Sequence, residues 1–444
     1  MSAATTSPTP VRHGCTSGSR PAMAEVEFCP DGPDLPVVII GAGHAGVQVA
    51  AGLRTRGWTG GVVLIDEQPG LPYERPPLSK DVLAPDATCA ATGPLLRRDG
   101  FYAAKDITLL AGVAVASIDR DARRVVLGNG EAVAYHRLVI ATGARGRQLT
   151  VPGHDLPGVL SLRTAADAAA VRDRLAAGAR VVIIGAGYIG MEVSAAAAKR
   201  GCDVTVLEYQ DRVMKRVTSE PVSAFFEDLH RAHGIRFAFG AAVSALEGSD
   251  RVEHVLTADG RRHPADVVVA GIGVVPHQEV AEAAGIACRD GILVDEACRT
   301  SDPAVYAAGD VTRFTSPFGG ELRLECLQNA QQQADTVADA ITGRPPRAPE
   351  VPWFWTVQFD VRLQTAGVMR PDDEIVLRGD PATGKFSVCY LREGRIAAID
   401  TIGGLADFRQ GRKLVAAGGP VDRQALADPT VRLEDCLLGE ALAA

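Results

Sequence analysis

The chain has 444 residues, of which 46% are apolar and 23% charged, so we expect a globular protein of two or three domains. Its formal charge of −8 at pH 7 argues against nucleic acid as the main ligand, because binding to phosphates requires a basic surface. No stretch of about 18 consecutive apolar residues occurs, so no membrane span is expected.

The first 35 residues are rich in Ser, Thr and Pro and lack the apolar segment of a secretory signal. We expect a disordered leader, part of which is an upstream extension if translation starts at Met23. The nine cysteines are scattered and show neither C-x-x-C nor C-x4-C spacing, which predicts neither a redox pair nor a metal site. Free thiols in a cytoplasmic protein are therefore expected.

The apolar run PVVII is typical of a buried parallel strand. It is followed by GAGHAG, a helix-forming segment and GVVLIDE, which together match the strand, G-x-G-x-x-G, helix, strand and acid of a dinucleotide site. Gly41 permits the tight turn, Gly43 lets the backbone approach a pyrophosphate, and Gly46 lets the helix pack closely on the strand. The acid that completes the pattern is Asp66 or Glu67.

The same pattern is repeated in ARVVIIGAGYIGMEV and the strand that follows it. Its glycines are Gly185, Gly187 and Gly190, and its second strand ends at Glu208. Because one such unit holds one pyrophosphate, two units predict two bound dinucleotides.

Three further apolar segments, RLVIATGAR, DVVVAGIGVVP and PAVYAAGDVTRF, are predicted strands of the same sheets. The last ends in Gly309 and Asp310, and an acid at the carboxyl end of a parallel strand lies where ligands bind. A helix N-cap is the alternative role for Asp310. From about Arg344 a Pro-rich linker leads into VPWFW and short strand-like pieces, which predict a small cap domain.

Eight segments in this order resemble the FAD-dependent ferredoxin reductases of the putidaredoxin-reductase type: GAGHAG, PYERPPLSK, IATGAR, GAGYIGMEV, GIGVVP, YAAGDV, LQNA and VPWFW. The resemblance implies the glutathione-reductase-like α/β fold, with two Rossmann-like dinucleotide-binding domains and a C-terminal α+β cap domain. The implied division is an FAD-binding domain (36–150 and 268–343), an NAD-binding domain (151–267) and a C-terminal reductase domain (344–444).

The resemblance places FAD in the first site. Disulfide reductases of this fold carry a cysteine pair where PYERPPLSK stands here, so electrons must leave from the flavin itself. Arg75 suits phosphate geometry, whereas Lys80 presents a movable charge that can stabilise electron density on a reduced flavin. The FAD-binding positions implied by the resemblance are Gly41, Gly43, Ala45, Gly46, Glu67, Arg75, Lys80, Val115, Arg145, Asp310 and Leu327.

The second site is then expected to hold the nicotinamide nucleotide. The Glu208 carboxylate accepts hydrogen bonds from a ribose 2′-hydroxyl and repels a 2′-phosphate, which favours NADH over NADPH; two arginines soon after it keep NADPH as the alternative. The positions implied for this nucleotide are Gly185, Gly187, Tyr188, Ile189, Gly190, Glu208 and Gly273. The residues implied for the reaction itself are Lys80, Glu192 and Trp355, with no metal ion.

The function implied by the resemblance is electron transfer from NADH through FAD to a [2Fe–2S] ferredoxin that serves a cytochrome P450 or a Rieske-type oxygenase. His277 and Val357 depart from the family pattern, which bears on the acceptor side. The alternatives are a rubredoxin reductase, an NADH oxidase or a redox-switch flavoprotein. A disulfide reductase or an NADH peroxidase would need a cysteine soon after the first unit, and Cys89 lies too far along.

Overall fold

Three five-stranded sheets, two parallel and one antiparallel, form the framework of the protein. The computed structural model describes residues 35–87 and 93–438. Except for Leu35, the predicted leader lies outside these residues, as does Cys89.

The first sheet begins with β1, whose four residues are all buried and which pairs in parallel with β2 and β7. Burial on both faces explains why its sequence is a continuous apolar run rather than an alternating one. The elements of this part are β1 Val37–Ile40, α1 His44–Thr55, β2 Val62–Asp66, α2 Phe101–Ala104, β3 Thr108–Ala111, β4 Val115–Asp119, β5 Arg124–Leu127, β6 Ala132–Ala134, β7 Arg137–Ile140 and β8 Ala144–Gly146.

The second parallel sheet repeats this arrangement. Its elements and those around it are β9 Val159–Ser161, α3 Ala165–Arg172, β10 Arg180–Ile184, α4 Tyr188–Lys199, β11 Asp203–Glu208, α5 Glu220–Ala232, β12 Arg236–Phe239, β13 Val243–Glu247, β14 His254–Thr257, β15 Arg262–Pro264, β16 Val267–Ala270 and β17 Val274–Pro276. The strand order is β12-β11-β10-β16-β9. The predicted domain boundary at residue 268 is therefore misplaced, because it cuts through β16; the division into domains otherwise stays a prediction.

The chain then returns to the first sheet. Its elements are α6 Glu279–Ala283, β18 Ile292–Leu293, β19 Val305–Ala307, β20 Thr312–Ser316, β21 Gly320–Leu322 and α7 Leu327–Ile341. Strand β19 pairs with β7 and completes the order β19-β7-β1-β2-β3. The carboxyl ends of β1 and β19 consequently lie on the same edge of the sheet.

The cap is a five-stranded antiparallel sheet of order β22-β23-β26-β25-β24 with helices beside it, as the resemblance implies. Its elements are β22 Trp353–Gln358, β23 Val361–Gly367, β24 Glu374–Asp380, β25 Lys385–Arg392, β26 Arg395–Ile402, α8 Leu405–Ala417 and α9 Arg423–Ala427.

A buried ion pair fixes α1 against α7. The Nε atom of Arg56 lies 2.6 Å from the Asp339 carboxylate, and both side chains are 6% exposed. Arg347 donates to the same carboxylate from the linker that leads to the cap. Burial alone would raise the pKa of Asp339, but the hydrogen bonds from Arg56 and Arg347 outweigh it and the pKa is lowered. Folding therefore favours the charged carboxylate.

We expect the substitution Asp339→Asn to destabilise the protein by about 2 kcal/mol, because it removes one of the two carboxylates that pair with the buried Arg56 guanidinium and leaves only Asp335, 3.1 Å away. Since the folded-state pKa lies below the ordinary value, the wild-type advantage is present above the unfolded pKa of about 4 and is lost as the pH falls below it. Thermal unfolding at a series of pH values measures this. Asp211→Asn, which removes an exposed i,i+4 pair with Lys215, is the control and should leave the midpoint unchanged.

Candidate functional site

The two predicted glycine loops lie at the carboxyl ends of β1 and β10, and each is tied to the acid at the end of the neighbouring strand. The backbone N–H of Ala42 donates to the Asp66 carboxylate at 2.7 Å. The backbone N–H of Ala186 donates to the Glu208 carboxylate at 2.6 Å. The two predicted nucleotide sites thus have the same local hydrogen-bond arrangement.

The first and third glycines of the first loop are required by the protein itself. A Cβ at Gly41 would lie 2.4 Å from the Ala141 carbonyl oxygen, and a Cβ at Gly46 would lie 1.9 Å from the Gly41 carbonyl oxygen. A Cβ at Gly43 would meet no protein atom within 4 Å. Packing within the chain therefore does not require glycine at Gly43, whereas close approach of a pyrophosphate does.

The second loop repeats these contacts. A Cβ at Gly185 would lie 2.6 Å from the Gly271 carbonyl oxygen, and one at Gly190 would lie 2.0 Å from the Gly185 carbonyl oxygen. A Cβ at Gly187 would again meet nothing within 4 Å. Both loops consequently fit a dinucleotide phosphate at the N-terminus of the helix that follows.

A cavity runs from the first loop to the cap sheet and brings together residues of the first sheet, of α4 beside the second sheet and of the cap sheet. The predicted residues that line it are Gly41, Gly43, Ala45, Glu67, Arg75, Lys80, Val115, Ile189, Glu192, Asp310, Leu327 and Trp355. Their separation in the chain means that the fold alone assembles this surface.

Two arginines, Arg75 and Arg163, lie close to each other among the residues that line the cavity. The guanidinium of Arg75 donates to the carbonyl oxygen of Arg163 at 3.0 Å, and the Arg163 side chain lies 3.3 Å from Asp310. Burial, and next the charge of Arg163, lower the pKa of Arg75. The buried Nε atom of Arg163 has no hydrogen-bond partner in the described part of the chain. Two close cations and an unused donor fit a bound anionic cofactor, which would offset their repulsion.

Sequence reasoning did not predict two residues of this cluster, Arg163 and His44. Burial, followed by the charge of Arg75, lowers the pKa of His44 to about 4, so its imidazole is neutral at pH 7. The position of His44 inside GAGHAG, at the start of α1, was the sequence signal that could have identified it. Arg163 immediately precedes Thr164, the N-cap of α3, and no motif distinguishes it.

The acids of the first unit have different environments. The Asp66 carboxylate accepts backbone hydrogen bonds from Ala42 and Gln68, whereas Glu67 lies beyond the strand and lines the cavity. Glu67 as an FAD contact stays a prediction. The Glu208 carboxylate accepts equivalent bonds from Ala186 and Gln210, so Glu208 matches Asp66 rather than Glu67.

The three parts of the protein meet at the carboxylate of Glu192, whose side chain is only 2% exposed. The Lys80 ammonium lies 2.8 Å from it, the Ser79 hydroxyl donates to it, and the Thr356 hydroxyl donates at 2.6 Å from the cap. Glu192 is therefore a buried, paired acid and not a solvated one on the helix surface. The ion pair holds the charge of Lys80 at the wall of the cavity.

Aromatic side chains close the cavity on the cap side. Tyr188 packs on Phe354 with ring centroids 4.5 Å apart, and burial raises the pKa of its phenol. Tyr188 does not line the cavity, whereas its neighbour Ile189 does. Trp355 lines the cavity and packs on Trp353, two residues before it in β22, with ring centroids 5.4 Å apart.

Arg145 and Gly273 are among the predicted residues that do not line this cavity. The Arg145 side chain is 52% exposed and forms an ion pair with Glu279 at 2.8 Å, and it is not among the residues that line the cavity. Gly273, with φ +95°, lies between β16 and β17. Both assignments stay predictions, and the residues of this region that line the cavity are Val274, His277 and Val280.

Within residues 35–87 and 93–438, no group of three His, Cys, Asp or Glu side chains is placed to hold a metal ion. No helix in the same ranges is long and apolar enough to cross a membrane.

Comparison with known proteins agrees with this geometry. Residues 35–334 match the pyridine nucleotide-disulphide oxidoreductase family, and residues 353–437 match the reductase C-terminal family. Putidaredoxin reductase of Pseudomonas putida is 42% identical over 408 residues, which are 90% of this chain and 96% of the relative. The ferredoxin–NAD(+) reductase component of an anthranilate 1,2-dioxygenase system of Burkholderia cepacia is 40% identical over 406 residues, 90% of this chain and 99% of the relative.

Among solved structures, the covalent putidaredoxin reductase–putidaredoxin complex matches with a TM-score of 0.87 at 41% identity, and the match covers 91% of this chain and 98% of that chain. The fold and the cavity define a flavoprotein oxidoreductase with two dinucleotide sites. The chain belongs to the pyridine nucleotide-disulphide oxidoreductase family and carries its reductase C-terminal domain. This confirms the predicted family, fold and cofactors, FAD and a nicotinamide nucleotide.

The substitution Gly43→Ala should weaken FAD binding and leave the unfolding temperature of the apoprotein unchanged, because the new methyl group touches only the ligand. The matched control Gly46→Ala should lower the unfolding temperature of the apoprotein itself, because its methyl group overlaps the Gly41 carbonyl. Flavin content after purification and apoprotein melting measure the two effects. Normal flavin content in Gly43→Ala would contradict the assignment of the first loop.

Proposed function

We propose that the chain is an FAD-dependent NADH:ferredoxin reductase that passes electrons to a [2Fe–2S] ferredoxin serving a cytochrome P450 or a Rieske-type oxygenase. Bound FAD supplies the redox chemistry, because a flavin takes two electrons from a nicotinamide and releases them singly. The relatives named above support this partner, since their names describe reductases of ferredoxin-dependent systems.

The observation that carries the proposal is the replacement of a thiol relay by proline, leucine and serine. Where a cysteine pair would be needed, Pro76–Ser79 forms a 3-10 turn against the cavity. Cys326 is the one cysteine among the described residues lining the cavity, and burial raises its pKa to about 11. A single protonated thiol does not form or exchange a disulfide, so electron transfer directly from the flavin is favoured.

A route for those electrons is supported by a second cavity on the other side of the wall made by Lys80, Glu192, Leu327 and Trp355. This second cavity opens between the 3-10 turn, α4 and the cap, and Arg362 lies among its lining residues. We assign Trp355 the role of excluding water from the flavin at this wall, since an indole is large and mostly apolar.

Lys80 and Glu192 act from the same wall. The carboxylate of Glu192 orients the Lys80 ammonium through their 2.8 Å contact, so that a cation faces the site where negative charge accumulates on reduction. Thr356 couples this pair to the cap. The part of the protein that binds the nicotinamide and the part that faces the electron acceptor therefore share one charged group, the Lys80 ammonium.

We further propose a cytoplasmic protein. The six described cysteines are all free, and burial raises the pKa of Cys298 and Cys389 to about 12. Three of the six are buried, and buried unpaired thiols are common in a reducing compartment.

The proposed function is tested by cytochrome c reduction with NADH, in the presence and absence of a [2Fe–2S] ferredoxin. We expect a large saturable stimulation by ferredoxin, with cytochrome c serving only as the indicator. If NADH bleaches the flavin but several ferredoxins add nothing, the partner assignment fails. A rubredoxin reductase, an NADH oxidase or a redox switch is then the better interpretation.

The choice of NADH is tested at Glu208. We expect Glu208→Gln to raise activity with NADPH relative to NADH by about tenfold, because it removes a negative charge facing the 2′-phosphate. The glutamine keeps only one of the two backbone hydrogen bonds, since its NH2 group cannot accept one. The ratio of kcat/KM for the two nucleotides measures this. An unchanged ratio would show that Glu208 does not determine the choice between NADH and NADPH.

A further inference from the structure

The two dinucleotide units can be compared residue by residue, because their backbone hydrogen bonds correspond. The N–H of Gln68 donates to the Asp66 carboxylate at 2.8 Å, and the N–H of Gln210 donates to the Glu208 carboxylate at 2.8 Å. The turn after each second strand therefore has the same form.

The loops after β3 and β12 confirm this register. The N–H of Gly112 donates to the Gln68 carbonyl at 3.0 Å, and the N–H of Gly240 donates to the Gln210 carbonyl at 3.1 Å. One residue later, Val113 and Ala241 each donate to the carbonyl of the strand-ending acid at 2.9 Å. Together with the bonds from Ala42 and Ala186 to the same acids, four hydrogen bonds in each unit fix the alignment, so it cannot be shifted by one residue.

In this register the residue that corresponds to Glu67 is Tyr209. Glu67 lines the FAD cavity together with Val113 and Val115. Tyr209 has the equivalent position in the second unit, next to Glu208, and is 71% exposed. Exposure of a single apolar side chain is common and means little alone. The assignment of Tyr209 follows from the register of the two units.

The acid at the end of the second strand is the group that contacts the adenosine ribose in a dinucleotide site. The next residue therefore lies at the adenosine end of the nucleotide, remote from the nicotinamide. A tyrosine there offers a flat apolar face and a hydroxyl that can donate to or accept from a ribose hydroxyl. It offers no cation for a 2′-phosphate, and its neighbour is a carboxylate.

We propose that Tyr209 forms the outer wall of the adenosine subsite of the second dinucleotide site and there contributes to NADH binding and to discrimination against NADPH. This inference rests on the proposed function only in taking NADH as the second nucleotide. It assigns a residue of the chain that neither the glycine pattern nor the acid singles out.

The test uses the purified holoenzyme with ferricyanide as acceptor, so that no ferredoxin is needed. Tyr209→Ala should raise the KM for NADH about tenfold, and Tyr209→Phe, which loses only the hydroxyl, about threefold. The kcat should stay within about twofold in both variants, because hydride leaves from the other end of NADH. Leu405→Ala, which truncates an exposed side chain at the start of α8 in the cap, is the matched control and should change neither constant.

A second measurement separates the adenosine subsite from a general loss of structure. ADP, which carries only the adenosine half, should inhibit competitively with NADH, and its inhibition constant should rise in Tyr209→Ala by the same factor as the KM. Unchanged inhibition by ADP would overturn the proposal, as would a fall in kcat at constant KM.

Replacement by a cation tests discrimination. Tyr209→Arg should narrow the preference for NADH over NADPH at least tenfold and should tighten inhibition by 2′,5′-ADP relative to ADP. An unchanged preference would overturn this part of the proposal. Failure of ferredoxin to accept electrons would leave all of these constants unaffected, so the two proposals fail separately.

Discussion

The rest of the structure depends on the close approach of a helix to the strand before it at two glycine loops. At Gly46 and Gly190 even a methyl group would overlap a backbone carbonyl, so each helix N-terminus is held directly over the end of its strand. That position directs the free N–H groups of the first turn at a phosphate. Two such loops on two parallel sheets give the protein two nucleotide sites, and the distance between its cofactors follows from how the sheets are joined.

The join is made at Glu192, a nearly fully buried carboxylate in contact with Lys80, Ser79 and Thr356. A buried acid is costly unless it is paired and hydrogen bonded, and here the adjacent Ser79 and Lys80 come from one part of the chain and Thr356 from the cap. The same contact that stabilises the arrangement therefore places a cation beside the flavin cavity. In the proposed function, the same ion pair also serves electron transfer.

The sequence allowed the local features to be predicted, because they depend on neighbours along the chain. The glycine patterns, the buried strands and the acids that end them follow from such local rules. Asp66 and Glu67 could not be distinguished, because the choice depends on which way each side chain points at the strand end. That Glu208 corresponds to Asp66 rather than to Glu67 could be decided only from the hydrogen bonds in the structure.

Features set by contacts distant in sequence could not be predicted. Arg163 joins the cavity through Arg75 and Asp310, each of which lies far from it in the chain. The burial of Glu192 depends on Thr356 in the cap, and the exposed ion pair of Arg145 depends on Glu279. Before the structure, only the resemblance to a family linked these distant segments. It predicted which positions contribute to the site, but not which side chains contact each other.

The most direct test of the central claim is a single-turnover experiment without oxygen. Enzyme reduced by one equivalent of NADH is mixed rapidly with oxidised [2Fe–2S] ferredoxin, and the absorbance of the cluster is followed. The account predicts that the cluster is reduced at least as fast as the enzyme turns over, with two ferredoxin molecules reduced per NADH. Enzyme that stays reduced beside oxidised ferredoxin for many turnover times would contradict it.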